Sequence, residues 1–302
     1  MKVPTELPLR ILTHNIRYAT SSPFKGELPW ENRVHPLLSE LRYNTRSQEA
    51  FICLQEVLHN QLDDILTGLN SKEHTSNANH TWDYIGVGRD DGHQAGEYSP
   101  IFYQPSIWQL RHWETVWLSE TPTMPSKSWD AASIRIVTVG VFTHRASRQT
   151  VLAMNTHLDD QGSRSRFEAA NIILGKVEEY RAGAAFGCMI SAVFLAGDFN
   201  SQDEQEAYTV LTAPESPLAD AARLVPPSQH YGNYMTWTGF GHEGQDPSRI
   251  DYILLESTAD KVLSRGRQPW KVLGYAVLPN RFDDGVFNSD HRAVVIDVLL
   301  RD

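Results

Sequence analysis

Polar side chains stand repeatedly at the ends of apolar, β-branched runs in this sequence. The places are Asn15, Gln55-Glu56, Asn155-Thr156-His157, Asp198-Phe199-Asn200, Arg249-Ile250-Asp251 and Ser289-Asp290-His291. A carboxylate, amide or imidazole at the end of a buried strand loses its hydration, which costs free energy unless the group is paired or binds a cation. Several strand ends that converge on one place would meet this requirement. We therefore predict that these fragments form a single site.

The types of these side chains indicate which ion the site would bind. Oxygens of Asp, Glu and Asn are hard ligands, which suit Mg²⁺ or Mn²⁺ better than zinc. His157 and His291 are neither spaced as a zinc-binding pair nor grouped with cysteines, so a structural zinc site is not expected. Asp198 and Asn200 would share one face of an extended chain, where they could address a water and a phosphoryl oxygen. Asp251 and His291 could form a carboxylate–imidazole pair that fixes the tautomer or keeps the ring protonated.

The strands that carry these polar ends are spread along the whole chain. We predict strands at residues 9–16, 51–54, 84–87, 100–103, 108–118, 134–142, 150–157, 193–196, 234–238, 250–255, 271–278 and 293–300. Helical spacing of apolar residues predicts helices at 31–41, 57–69 and 163–177, and Ser163 is the expected cap of the last. Many strands with few long helices indicate stacked sheets with helices outside them. If the polar ends form one site, residues 1–302 are a single domain.

The polar fragments, extended by their neighbours, resemble the endonuclease/exonuclease/phosphatase superfamily, which has the deoxyribonuclease-I-like fold. The motifs are His14-Asn15-Ile16-Arg17, Leu54-Gln55-Glu56-Val57, Asn155-Thr156-His157-Leu158-Asp159, Gly197-Asp198-Phe199-Asn200, Arg249-Ile250-Asp251-Tyr252-Ile253 and Ser289-Asp290-His291. The resemblance covers essentially the whole chain. The runs 88–92, 96–103 and 117–122 resemble a subgroup of small stand-alone members. The resemblance implies an α/β fold of four layers, with two packed, mostly antiparallel β-sheets flanked by helices.

The resemblance also implies a role for each position. Glu56 and Asp290 are expected to bind a divalent cation, Mg²⁺ or Mn²⁺, and Asn15 is expected to orient the metal or a phosphate oxygen. Asp198 matches the family residue that aligns or deprotonates the attacking water, and Asn200 the residue that holds the phosphate.

Further roles concern the two histidines. His291, paired with Asp251, would donate to a non-bridging oxygen as negative charge builds up. His157 would lie near the leaving or attacking oxygen, and Glu97 falls where some members place a carboxylate partner for it. A phosphodiester is anionic and repels hydroxide, so such a site must neutralise charge, orient a water and stabilise the leaving oxyanion. We predict a metal-dependent phosphoric ester hydrolase that uses in-line attack of water without a covalent nucleophile.

Two positions depart from the duplex-cutting deoxyribonuclease of the superfamily. Leu58 stands where that enzyme has an arginine that reaches into the minor groove, and Ala95 stands where it has a stacking tyrosine. Both departures weaken the case for a groove-reading duplex endonuclease. The expected function is hydrolysis of nucleic-acid phosphodiester bonds, by a nuclease that acts on ends or single strands.

Two other functions are compatible with the motifs. The first is a phosphatase or phosphodiesterase of a small phosphorylated metabolite or lipid headgroup. The second, a catalytically silent binding module, is disfavoured because the motif positions are intact. The sequence also leaves open whether four aromatic residues stack on a base or belong to the core or its rim; they are Tyr98, Trp129, Trp237 and Phe240.

The composition narrows the class of protein further. The 302 residues carry 27 Lys and Arg against 37 Asp and Glu, a formal net charge of −10. This charge disfavours a protein that binds long duplex DNA without sequence preference, because such binding depends on neutralising the phosphates. Neither a signal peptide nor a run of the roughly 20 apolar residues that span a membrane is recognisable, so we expect an intracellular monomer without a membrane span. Cys53 and Cys188 lie in apolar surroundings and are expected to be buried thiols.

Overall fold

Two β-sheets and four helices make up the described part of the chain in this computed structural model. Residues 6–71, 81–183, 189–241, 244, 246–257 and 268–301 are described. The strands are β1 (Glu6–Asn15), β2 (Ala50–Gln55), β3 (Asp83–Ile85), β4 (Ile101–Tyr103), β5 (Trp108–Trp117), β6 (Ile136–His144), β7 (Thr150–His157), β8 (Ala192–Asp198), β9 (Leu218–Asp220), β10 (His230–Gly232), β11 (Asp251–Glu256), β12 (Trp270–Val277) and β13 (Val294–Arg301). The helices are α1 (Trp30–Thr45), α2 (His59–Leu69), α3 (Ser163–Ala182) and α4 (Glu206–Leu211).

The sheets are mixed but mostly antiparallel. The first has seven strands in the order β10-β12-β13-β1-β2-β4-β3, and the second has six in the order β5-β6-β7-β8-β11-β9. Strands β1 and β2, β10 and β12, and β7 and β8 pair in parallel, and the other described neighbours are antiparallel. The predicted fold class is therefore confirmed.

A layer of aromatic and aliphatic side chains separates the two sheets. The ring of Phe51 in β2 lies 4.8 Å from Trp108, 5.0 Å from Phe142 and 5.5 Å from Phe194, centroid to centroid, and all three belong to the second sheet. Successive residues of a strand point to opposite faces. Ile52, the next residue of β2, accordingly packs in the outer layer beneath the helices.

The helices cover the outer faces of the sheets. Leu37 of α1 and Leu62 of α2 belong to the apolar cluster on the outside of the first sheet. Ile173 of α3 and Leu211 of α4 belong to the cluster on the outside of the second sheet. This arrangement gives the four layers that the resemblance implies. None of the described helices is long and apolar enough to cross a membrane.

The predicted strand at residues 234–238 is wrong. The chain bends there, and Trp237 makes only isolated bridges, to Ser248 and His291. The hydroxyl of Thr236 accepts hydrogen bonds from the backbone N–H groups of Ile250 and Asp251, each at 3.0 Å. The Thr236 hydroxyl thus takes the place of the backbone–backbone hydrogen bonds that a β-strand would make here.

Helix α3 does not use Ser163 as its cap. Its N-cap residue is Gly162, which has no side-chain acceptor for the backbone N–H groups, and Ser163 is the first helical residue. The carboxylate of Asp130 accepts instead from the N–H groups of Arg164 (3.1 Å) and Ser165 (2.7 Å). The cap therefore comes from a loop that is distant in sequence. The thiol of Cys53 is buried as predicted, whereas Cys188 lies outside the described residues.

Asp159 follows β7 and anchors the loop that leads into α3. Its carboxylate accepts backbone hydrogen bonds from Ala132 (3.1 Å), Ser133 (2.9 Å), Gln161 (3.1 Å) and Gly162 (2.8 Å). Burial raises the pKa of this carboxyl, but the N–H groups outweigh burial and lower the pKa to about 2. The ionised form of Asp159 thus holds together the loops on either side of β7.

We expect Asp159→Asn to lower the free energy of unfolding by about 2 kcal/mol at neutral pH, from the difference between the lowered and the ordinary pKa. A lowered pKa stabilises the folded state above about pH 4, and this contribution is lost as the pH falls towards about 2. In urea unfolding, the difference in free energy of unfolding between the wild type and the variant should therefore become smaller as the pH is lowered from 7 to 3. Asp63→Asn, at an exposed position of α2, serves as the control. A deficit that does not change with pH would contradict this role.

Candidate active site

The predicted site residues meet at one rim shared by the two sheets. Strands β1, β7 and β8 end there with Asn15, His157 and Asp198, and β11 begins there with Asp251. In the register of the second sheet, Asp198 pairs with His157 on one side and with Asp251 on the other. Three of the predicted site residues are therefore placed on one rung by strand pairing alone.

Asn15 connects the two sheets. Its Nδ2 donates to Glu56 Oε1 and to Asp198 Oδ2, both at 2.9 Å. Its Oδ1 accepts a hydrogen bond from the backbone N–H of Arg17 at 3.0 Å. Because a backbone N–H can only donate, this bond fixes which end of the amide is the oxygen. Asn15 therefore presents an amide nitrogen, not an oxygen, to the two carboxylates.

Glu56 follows β2 in a left-handed backbone conformation, with φ of 57°. Such a conformation costs a residue with a Cβ about 1 kcal/mol or more and is often found where function requires it. Oε2 accepts from the backbone N–H of Tyr18 at 3.2 Å and lies 3.5 Å from Nη1 of Arg17. The turn thus directs the carboxylate towards Asn15 and the residues that follow β1.

His291 and Asp251 form the predicted carboxylate–imidazole pair. Nδ1 of His291 lies 2.8 Å from Asp251 Oδ2, so Nε2 is the nitrogen directed towards Asp198, 3.7 Å from its Oδ2. Burial would lower the pKa of His291, but the carboxylates of Asp251 and Asp198 raise it to about 10. The imidazole is accordingly a cation in this environment.

Asp198 lies at the centre of the polar cluster. Its Oδ1 accepts from the backbone N–H of Asn200 at 2.8 Å, and its Oδ2 has Asn15, His157 and His291 around it at 2.9, 3.5 and 3.7 Å. Burial, and next the charge of the neighbouring Asp251, raise the pKa of Asp198. A carboxylate with a raised pKa is a better proton acceptor than an exposed one.

His157 is held in a defined tautomer by Asn200. Nδ2 of Asn200 donates to the carbonyl of Leu158 at 2.9 Å and lies 3.0 Å from Nε2 of His157. Because that nitrogen of Asn200 is a donor, Nε2 of His157 is the acceptor and the proton is on Nδ1. Burial and the positive charges of Arg135 and Arg89 lower the pKa of His157 well below its usual value, which agrees with a neutral ring.

Glu97 lies beside His157, as predicted. Its Oε2 is 3.6 Å from Nδ1 of His157, and it also accepts a hydrogen bond from Arg89 at 2.8 Å. Glu97 therefore faces the protonated nitrogen of the ring while Arg89 neutralises its charge. The local sequence around Arg89 carries no signal that indicates this contact.

Asp290 is buried next to His291. Its backbone oxygen accepts from the N–H of Thr238 at 2.8 Å, and its Oδ1 lies 3.3 Å from Oγ of Ser289. Burial raises the pKa of Asp290, and the negative charge of Glu56 raises it further. Two carboxylates that lie near each other have the composition of a divalent-cation site.

A second group at the rim also has the composition of a metal site. Ligand atoms of Asp198, Asp251 and His291 lie within 4.8 Å of one another. However, one of its three donors is the imidazole of His291, whose Nδ1 lies 2.8 Å from Asp251 Oδ2, and a hard cation prefers oxygen ligands to nitrogen. The donor set of Glu56 and Asp290 therefore fits a hard cation better than this group does.

Two of the four aromatic residues considered for base stacking are buried. Tyr98 and Phe240 expose 2 % and 4 % of their surface, so they belong to the core. Trp129 and Trp237 are partly exposed. Trp237 pairs with His291 in an isolated bridge, which places it beside the rim.

Sequence comparison identifies the protein family. The sequence profile described as the Endonuclease/Exonuclease/phosphatase family matches residues 12–291. The chain belongs to this family. Membership makes the chain part of a superfamily of metal-dependent phosphoester hydrolases with a deoxyribonuclease-I-like fold.

Solved structures of other proteins share this fold over almost the whole chain. An endonuclease/exonuclease/phosphatase from Bacteroides vulgatus is 28 % identical, with a TM-score of 0.79, and the match covers 97 % of this chain and 99 % of that one. A mannosyl-6-phosphatase from Bacteroides thetaiotaomicron is also 28 % identical, with a TM-score of 0.78 over 96 % and 99 % of the two chains. D. rerio TDP2 complexed with a single-strand DNA product is 19 % identical, with a TM-score of 0.65 over 96 % and 98 %, which shows the shared fold. A search of curated proteins gives no match.

Proposed function

We propose that this chain hydrolyses the phosphate ester of a small phosphorylated metabolite, with a phosphorylated sugar as the favoured class. The observation that carries the proposal is the cluster around Asp198. Asn15, His157 and His291 reach its Oδ2 from three separate segments, within 2.9 to 3.7 Å. A buried carboxylate flanked by an amide, a neutral imidazole and a cationic imidazole suits attack of water on an anionic ester.

Glu56 and Asp290 would hold the divalent cation, Mg²⁺ or Mn²⁺. When bound, such an ion supplies positive charge to the phosphate and polarises its oxygens. Asn15 supports this set rather than joining it, because its oxygen is engaged by Arg17 and its nitrogen donates to Glu56. The predicted ligand role of Asn15 thus becomes a positioning role in our proposal.

Different side chains of the cluster have different roles in the proposed reaction. Asp198 accepts a proton from the attacking water while the bond from the water oxygen to phosphorus forms. The ester P–O bond breaks, its electron pair stays on the leaving oxygen, and that oxygen takes up a proton from solvent and departs as the alcohol. His291, oriented by Asp251 through a 2.8 Å contact, donates from Nε2 to a non-bridging oxygen as its negative charge grows. Asn200 fixes His157 beside the same carboxylate, since both amide protons are used for the ring and for the Leu158 carbonyl.

The charges around the rim favour a small ester over a polynucleotide. Binding of a nucleic-acid backbone depends on arginines and lysines that are free to neutralise phosphates. Arginines of the described chain near the rim are paired instead, as in Arg17 with Glu27, Arg89 with Glu97 and Arg135 with Asp160. The net charge of −10 and the name of the Bacteroides thetaiotaomicron relative, a mannosyl-6-phosphatase, support the same choice.

A nuclease remains the second candidate, and one observation favours it. Trp237 is partly exposed and bridges to His291, so its ring could stack on an unpaired base beside the reacting phosphate. TDP2, which shares the fold, has been solved with a single-strand DNA product. This candidate retains the expectation of a nuclease that acts on ends or single strands.

A substrate panel separates the two candidates. Hexose 6-phosphates and inositol phosphates are compared with single-stranded and duplex DNA and RNA, in Mg²⁺, in Mn²⁺ and with chelator. We expect release of inorganic phosphate from a sugar phosphate, loss of release with chelator, and intact oligonucleotides. Cleavage of oligonucleotides without turnover of the small esters would favour the nuclease, and turnover of neither class would overturn the proposal. Asp198→Ala is compared with Glu215→Ala, a control at an exposed position that is not one of the site residues.

A further inference from the structure

A buried polar chain links helix α1 to the backbone of His291. His14 is fully buried in β1. Its Nδ1 lies 2.8 Å from Oε1 of Glu40 in α1, and its Nε2 lies 3.2 Å from the carbonyl oxygen of His291. The other oxygen of Glu40 accepts a hydrogen bond from Nδ2 of Asn288 at 3.1 Å. One carboxylate of the helix layer thus contacts both the histidine and the turn that leads to Asp290.

The position of His14 in β1 makes a polar residue unexpected. Leu12 and Ile16 lie two residues before and after it and belong to the apolar cluster beneath α1. A leucine at position 14 would extend that cluster. Burial of polar side chains costs free energy that apolar residues at the same positions would not cost. Packing beneath α1 therefore gives no reason for His14 and Glu40 at these positions.

The contacts of the His291 backbone suggest what the pair does. The N–H of His291 donates to Oγ of Ser289 at 3.1 Å, and that hydroxyl donates to the carbonyl of Asn15 at 2.6 Å. The bridge between Trp237 and His291 uses the carbonyl of Asp290 and the N–H of Arg292. Among the described residues, the carbonyl of His291 is contacted by the ring of His14.

We propose that His14, oriented by Glu40, is a positioning residue for His291 in the phosphoester hydrolysis proposed above, on which this inference rests. Ser289 fixes one end of the His291 peptide and His14 fixes the other. Together with the hydrogen bond that Nδ1 donates to Asp251, these contacts leave Nε2 directed at Asp198. A displacement of about 1 Å in a group that acts on the reacting atoms can cost about 100-fold in rate.

The kinetic test compares His14→Leu with His14→Gln, since glutamine keeps an N–H donor. We expect His14→Leu to lower kcat about tenfold, within the range that small displacements cause, with KM within about twofold, and His14→Gln to recover part of kcat. In a His291→Ala background, His14→Leu should have no further effect, because its action passes through the removed ring. An equal loss in both backgrounds would overturn the proposal. His35→Leu, at an exposed position of α1, is the matched control.

A second measurement keeps the inference separate from the proposed function. In NMR spectra of ring-labelled protein without substrate, the His291 imidazole signals should shift in His14→Leu and in Glu40→Gln but not in His35→Leu. Unchanged His291 signals in the first two variants would overturn the positioning role whatever the protein hydrolyses. If the wild-type chain turns over no phosphate ester while the His291 signals do shift, the proposed function fails and the positioning of His291 by His14 stands.

Discussion

Asp198→Ala is expected to lower kcat for phosphate-ester hydrolysis by about a thousandfold, because a positioned general base contributes about 10² to 10⁴ in rate. The carboxylate removed is the one that Asn15, His157 and His291 surround. Stability should not fall with activity. Burial raises the pKa of Asp198, which means that the folded state disfavours its charge, and alanine removes that penalty.

The experiment pairs steady-state kinetics with thermal unfolding. Asp198→Ala should keep or raise the melting temperature while kcat falls, and Glu215→Ala should leave both unchanged. A variant that loses activity only in proportion to a lower melting temperature would show that Asp198 is structural. Retention of more than about a tenth of kcat would show that Asp198 is not the base, since a loss smaller than tenfold lies below the range for such a group.

Glu56→Ala and Asp290→Ala are each expected to weaken Mg²⁺ binding at least about tenfold and to abolish turnover at ordinary Mg²⁺ concentrations. Loss of one anionic ligand from a hard-cation site removes both a coordinating oxygen and its charge. His291→Ala should behave differently. It should cut kcat by about a hundredfold or more, as loss of a donor to a developing oxyanion does, and should leave Mg²⁺ affinity nearly unchanged.

Isothermal titration calorimetry with Mg²⁺ tests whether Glu56 and Asp290, but not His291, bind the cation. Unchanged affinity in both carboxylate variants would refute the ligand assignment. Asp251→Ala provides the decisive comparison, because Asp251 belongs to the other group at the rim that has the composition of a metal site. If Asp251→Ala loses Mg²⁺ while Glu56→Ala retains it, the cation binds beside His291 instead. High Mg²⁺ should partly restore turnover in the carboxylate variants but not in His291→Ala.

The sequence predicts the part of the site that depends on strand ends. His157 and Asp198 each end an apolar strand, Asp251 begins one, and strand pairing places the three on one rung. That placement follows from local pattern, because a buried strand that stops at a polar residue identifies the rim of its sheet. The fold class follows for the same reason, with the resemblance adding the number of layers.

Contacts between distant segments could not be predicted in this way. The Asp130 carboxylate that caps α3 comes from a loop more than 30 residues earlier, and Arg89 reaches Glu97 from a turn with no distinguishing pattern. Residues 234–238 alternate like a strand, yet the hydroxyl of Thr236 bonds to the next segment and ends the regular pairing. Hydrophobic periodicity predicts which face of a helix or strand is apolar, but it does not predict which side chain from a distant segment contacts that element.

The amide of Asn15 belongs to the first sheet, and the carboxylate it contacts at 2.9 Å belongs to the second. Neither sheet alone contains all the groups that our proposal uses, so the proposed site would form only when the two sheets pack against each other. Phosphate-ester hydrolysis would then report native tertiary packing directly. We expect a partly unfolded molecule, even one rich in strands, to be inactive towards phosphate esters.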